Sequence, residues 1–113
     1  MSVTIYHNPR CSKSRQTLEL LRGKNIEPTV VEYLQTPPSA AELKKILKML
    51  GLSAKDIVRR KEAKEAGIDP ATLAEDDLVA AMVATPAVIE RPIVIANGKA
   101  ALGRPPENVL DII

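Results

Sequence analysis

The chain has one cysteine, one histidine, no phenylalanine and no tryptophan in its 113 residues. A single thiol excludes an intramolecular disulfide framework, and one Cys with one His falls short of a tetrahedral zinc set unless carboxylates from elsewhere complete it. We therefore expect no metal and no bound cofactor. With two tyrosines as its only aromatics, the sequence lacks the stacking platforms of single-strand nucleic-acid binders. A net charge of +2 is also too small to hold a polyanion by electrostatics alone, so no nucleic-acid partner is expected. No apolar run approaches membrane-spanning length, and the N-terminus leads straight into a strand-like segment without the charged and apolar regions of a leader. The default expectation is a cytoplasmic protein with no membrane partner. No apolar stripe is left over once the core is filled, so a monomer is expected.

What is present reads as a single domain over residues 1–113 with an aliphatic core. An apolar fraction of 45% beside 27% charged residues is globular usage and argues against disorder. Residues 3–6 form a short strand-like run, and a helix opens at or just after Cys11, with Leu18, Leu20 and Leu21 on its apolar side and Gly23 near its end. Residues 29–34, TVVEYL, are rich in β-branched side chains and read as a second strand. The start is β-α-β.

The segment about 39–85 reads as a helical insertion. Ser39 and Glu42 have capping-box spacing, Leu43, Ile46, Leu47 and Leu50 follow the i, i+3, i+4, i+7 rule, and Gly51 is the stop. A second box, Ser53 with Asp56, predicts a helix running into RRKEAKEAG, and Thr72 with Glu75 predicts another through Leu78, Met82 and Val83.

Asn97-Gly98 is the preferred pair for a two-residue type I′ hairpin turn, in which both positions need positive φ. Strands 93–96 and 99–102 should pair, and extending that register outward sets Arg91 opposite Arg104. Like charges facing across a hairpin are destabilising, so the two arginines either splay into water or share an anion. Each precedes a proline and is thereby held extended or in a turn. Pro92 is a candidate for a cis peptide, and Pro105 for the start of the last helix.

The stretch HNPRCSKSRQT places Cys11 at a helix N-terminus. Unpaired N–H groups and the helix dipole there favour a thiolate, as do the nearby Arg10, Lys13 and Arg15. The competing reading is a buried, inert thiol. For His7, tuning of the thiolate stands beside the plainer role of a strand-end residue that satisfies backbone groups. The spacing excludes a tyrosine-phosphatase loop, since Thr17 stands where the arginine is needed. Ser14 fills the resolving position of a C-x-x-C motif, so any disulfide step needs an outside thiol.

Across nearly its whole length, through TIYHNPRCSKSRQTLELL, VVEYLQTPPSAAEL, IVRRK, ERPIVI and GRPPENVLDII, the sequence resembles the glutaredoxin-related arsenate reductases, small cytoplasmic bacterial proteins. The resemblance implies a thioredoxin-like, glutaredoxin-type α/β fold whose mixed sheet carries a helical insertion between the second strand and the C-terminal hairpin. It implies that Cys11 attacks arsenate, with Arg59, Arg91 and Arg104 around the oxyanion; Arg60 is the neighbouring alternative to Arg59. It further implies that His7 and Ser14 help to lower the thiol pKa, and it places Arg15 and Pro92 beside them. Glutathione is the implied co-substrate and glutaredoxin the implied protein partner. Ser12-Lys13 departs from the small glycine-containing pair more common in the family at that point. Two other readings are a monothiol glutaredoxin-like redox or glutathione-binding protein, and a family regulatory module that binds RNA polymerase, against which Ser14 argues.

Overall fold

In the computed structural model, which describes residues 2–113, the first strand β1 (Val3–His7) alternates buried and half-buried side chains. Val3 and Ile5 enter the core on one face, as the period of two requires. Helix α1 (Ser12–Gly23) follows and buries Ser14, Thr17, Leu18 and Leu21. It ends at Gly23, as expected, and the turn that closes it is made by Asn25. Asn25 takes the left-handed conformation at φ 61°, and the Ile26 N–H turns back to the Leu21 carbonyl at 3.0 Å, which satisfies a carbonyl the helix leaves open.

Strand β2 (Thr29–Glu32) runs parallel to β1. It stops two residues short of the expected end because the Glu32 carbonyl accepts the N–H groups of Gln35 and Thr36, closing a turn. The hairpin is as expected: β3 (Ile93–Ala96) pairs antiparallel with β4 (Lys99–Leu102), in the register Ala96 with Lys99 and Ile93 with Leu102. Asn97 and Gly98 both have positive φ, 55° and 73°. The sheet order is β2-β1-β3-β4, with β1 and β3 antiparallel. This is a thioredoxin-like mixed sheet. Val3, Ile5, Leu18, Leu21, Val94, Ala96 and Val109 form the core between the sheet, α1 and the C-terminal 3-10 segment Pro106–Asp111.

The chain divides into two compact units, Met1–Thr36 with Arg91–Ile113, and Pro37–Glu90. In the second, α2 (Ala40–Leu50) carries both halves of the Ser39/Glu42 capping box and ends on Gly51 at φ 71°, and it packs against α4 (Glu75–Ala84). Two helix expectations are corrected here. The run from Ser53 is not one helix: a single 3-10 turn, Ala54–Asp56, is separated from α3 (Arg60–Glu65). Ile57 and Val58 are buried between them, and Val58 bridges to Ile89; the gain from burying these β-branched side chains outweighs weak helix propensity. Helix α4 also begins at Glu75 rather than near Thr72. The Glu75 carboxylate is already engaged, accepting the Ala54 N–H at 2.7 Å, so it does not close a box with Thr72. Among the described residues, no helix is long and apolar enough to cross a membrane.

Candidate active site

The loop between β1 and α1 is built by its own side chains. Asn8, buried, accepts the Arg10 N–H on Oδ1 at 3.0 Å, and its carbonyl accepts the Cys11 N–H at 3.0 Å. From outside the turn, Arg15 Nη1 donates to the Pro9 carbonyl at 2.9 Å. Cys11 is thereby held as the N-cap of α1 in an extended conformation, φ −93° and ψ 124°. Its carbonyl accepts the first helical N–H, from Arg15.

The sulfur therefore faces the open N–H groups of the first turn. Partial burial alone would push the thiol pKa up from its ordinary 9.0, but the Ser14 N–H, the Arg91 guanidinium and the Lys13 N–H together outweigh it and hold the pKa down. Neither N–H reaches full hydrogen-bond geometry with the sulfur, and the Arg91 guanidinium adds a full positive charge to their pull. A thiolate at a helix N-terminus beside an arginine is an activated nucleophile.

Behind the thiol lies a buried polar chain. Ser14, fully buried, accepts the Asn8 N–H at 3.0 Å and sits 2.5 Å from His7 Nδ1. A hydroxyl that accepts one amide proton keeps its own proton and a second lone pair, so the Ser14–His7 contact holds either imidazole tautomer, with Ser14 donating when Nδ1 is bare and accepting when Nδ1 is protonated. Burial, first of all, lowers the His7 pKa; Glu32 partly opposes this and the charges of Arg22 and Arg15 add to it. The ring is neutral at physiological pH. Ser14 thus presents its amide to the sulfur and its hydroxyl to His7. Arg15 is tied to Pro9 and acts on His7 through its charge.

The hairpin brings in the two arginines that its register sets opposite each other. The Gly103 N–H donates to the Pro92 carbonyl at 2.9 Å, which continues the ladder one step past Ile93 and Leu102. Arg104 Nη1 then turns toward the Arg91 carbonyl at 3.4 Å. The Arg104 head, exposed, lies against the Arg91 main chain. Both prolines that follow, Pro92 and Pro105, are in cis peptides.

Arg59 lies in the second unit, as the N-cap of α3. Its guanidinium donates to Glu62 at 2.5 Å and to Glu90 at 2.7 Å, while the adjacent Arg60 is exposed. Asn8, Thr17 and Gly103 also shape the site. A signal for Asn8 existed in the N-P pair, which favours Asx turns; for Thr17 and Gly103 there was none, because they meet across the fold.

The ArsC family profile matches residues 6–112. This chain belongs to the ArsC family. Among its relatives, the uncharacterized protein YfgD of Escherichia coli K12 is 55% identical over 98% of this chain and 96% of its own. An arsenate reductase of Neisseria meningitidis is 53% identical over 95% of this chain and 94% of its own. The solved structure of an arsenate reductase from Vibrio cholerae superposes with a TM-score of 0.94 at 51% identity, covering 100% of this chain and 98% of that one. ArsC membership accounts for the helical segment between the second strand and the hairpin as part of a shared architecture.

Proposed function

We propose that the protein is an arsenate reductase that uses glutathione and glutaredoxin in the cytoplasm. The observation that supports this reading most directly is the Cys11 thiol at the α1 N-terminus, its pKa held down in part by the Arg91 guanidinium, in a chain 53% identical to a protein named as an arsenate reductase. Arginine suits a tetrahedral oxyanion because its planar fork donates two parallel hydrogen bonds and keeps its charge at any working pH.

In this reading arsenate binds against Arg91 and Arg104, whose charges offset repulsion between the anion and the thiolate. The family motif adds Arg59. The Cys11 thiolate attacks arsenic, a sulfur–arsenic bond forms, and one oxygen leaves as hydroxide that takes a proton to become water. Arsenic is still arsenic(V). The thiolate of glutathione then attacks the Cys11 sulfur; the sulfur–arsenic pair stays on arsenic, which departs as arsenite, arsenic(III), and a mixed disulfide remains. Two thiols have supplied the two electrons. Glutaredoxin takes the glutathione from Cys11 and is itself discharged by a second glutathione. The outside thiol is needed because Ser14 occupies the position of a resolving cysteine.

The test is a coupled assay that follows NADPH consumption with glutathione, glutathione reductase and glutaredoxin, with and without arsenate, on wild type and Cys11→Ser. Arsenate-dependent turnover that disappears in Cys11→Ser is the expected result. A wild-type rate that does not depend on arsenate would overturn the reading.

A further inference from the structure

Gly103 is buried, and its φ is not positive, so no turn conformation explains why glycine stands there. Space does. A Cβ built on Gly103 would lie 2.4 Å from Thr17 Oγ1 and 2.7 Å from Pro92 Cγ, closer than carbon atoms approach, and a tight 3.0 Å from Thr17 Cγ2. None of these neighbours gives way freely. Thr17 is fully buried, β-branched and held by its hydroxyl, which donates to the Lys13 carbonyl at 2.8 Å and reaches the Gly103 carbonyl at 3.4 Å. Pro92 is a closed ring whose carbonyl already accepts the Gly103 N–H.

Three segments of the site therefore meet at one bare Cα. Thr17 belongs to α1, whose N-cap is Cys11. Pro92 follows Arg91, whose guanidinium helps to hold the Cys11 pKa down. Gly103 precedes Arg104, which lies over the Arg91 main chain. We propose that Gly103 is a positioning residue: the space left by its missing side chain lets the hairpin close onto Thr17 and Pro92, and that contact sets how near Arg91 comes to the Cys11 sulfur. A methyl group at this point wedges α1 away from the Arg91-Pro92 segment. A weaker guanidinium pull on the thiol follows, from a site that touches neither the thiol nor any oxyanion.

The readout is the Cys11 alkylation rate against pH, which requires no substrate; only the kinetic arm rests on the arsenate-reductase reading. In Gly103→Ala the alkylation midpoint is expected to move up, toward that of an ordinary thiol, and arsenate kcat/KM to fall by about tenfold. Adding Thr17→Ala removes the contacts at 2.4 and 3.0 Å and leaves the one to Pro92 Cγ at 2.7 Å, so the double variant is expected to move the midpoint part of the way back toward wild type, and such a part-recovered midpoint where the Gly103→Ala single does not fold supports the proposal. A folded Gly103→Ala with the wild-type midpoint overturns it, as does a double variant that titrates no better than the single or fails to fold alongside it. If the midpoint shifts as expected while no variant, wild type included, turns over arsenate, the positioning role stands and the functional reading fails.

Discussion

The hydroxyl of Ser14 and Nδ1 of His7 are 2.5 Å apart, and both residues are buried. Because Ser14 also accepts the Asn8 N–H, one hydroxyl joins the end of β1, the loop that follows it and the first turn of α1. Removing it leaves a buried amide and a buried ring nitrogen without that partner. Ser14→Ala is expected to lose about 1–3 kcal/mol in urea unfolding. Its thiol midpoint should move less than that of Arg91→Ala, since the Ser14 N–H that faces the sulfur is unchanged. A variant as stable as wild type would show that the polar chain contributes nothing.

Arg91 and Arg104 differ in what they touch, and their variants should differ accordingly. Arg91→Ala is expected to raise the Cys11 alkylation midpoint, because the guanidinium is one of the groups that hold the thiol pKa down. Both Arg91→Ala and Arg104→Ala should lower arsenate kcat/KM by more than tenfold, over about 1.4 kcal/mol. Arg91→Lys restores charge without the planar fork and should recover the thiol midpoint better than the turnover. Wild-type kinetics in both alanine variants would remove the oxyanion clamp from the mechanism.

The depressed pKa of His7 gives stability a dependence on pH whose sign is fixed. The folded ring titrates below 6.5, chiefly through burial, so the unfolded chain binds the proton more readily. Its contribution to stability is complete above pH 6.5 and is lost as pH falls through the folded pKa. Urea midpoints measured from neutral pH down to about 5 should fall more steeply for wild type than for His7→Gln. Parallel curves would mean that the ring is not held neutral by the fold.

In the second unit, helix α2 offers a test that leaves the thiol alone. Ser39→Ala removes a cap that accepts the Glu42 N–H at 3.1 Å and should cost about 1 kcal/mol. Gly51→Ala places a side chain at φ 71° and should cost roughly the same. The Cys11 midpoint should be unchanged in both. Stability equal to wild type in the pair would contradict the capping assignment.

Elements whose chemistry is local were legible. Asn97-Gly98 fixed the hairpin register and, through it, the neighbourhood of Arg91 and Arg104; Ser39, Glu42 and Gly51 marked both ends of α2. The errors share a cause in contacts made far along the chain. Ile57 and Val58 leave the helical pattern because Ile89 pairs with Val58, and Glu75 leaves its box because Ala54 is there to donate to it. At the site, Cys11, His7 and Ser14 lie within a few residues of one another and could be read together. Thr17 and Gly103, 86 residues apart, carry no mutual signal in a single sequence. Of the Arg59 partners, Glu62 stands at helical spacing, whereas Glu90 is 31 residues away.

The forces that hold Cys11 as a thiolate come from two very different ranges along the chain. The amides of Lys13 and Ser14 arrive with the first turn of α1, while Arg91 arrives only when β3 has paired with β1. Closing so long a loop comes late in folding, after local helix formation. Completion of the sheet therefore adds a distant positive charge to a pull that the first turn of α1 already exerts on its own, and it does so while burying the sulfur, which works against both.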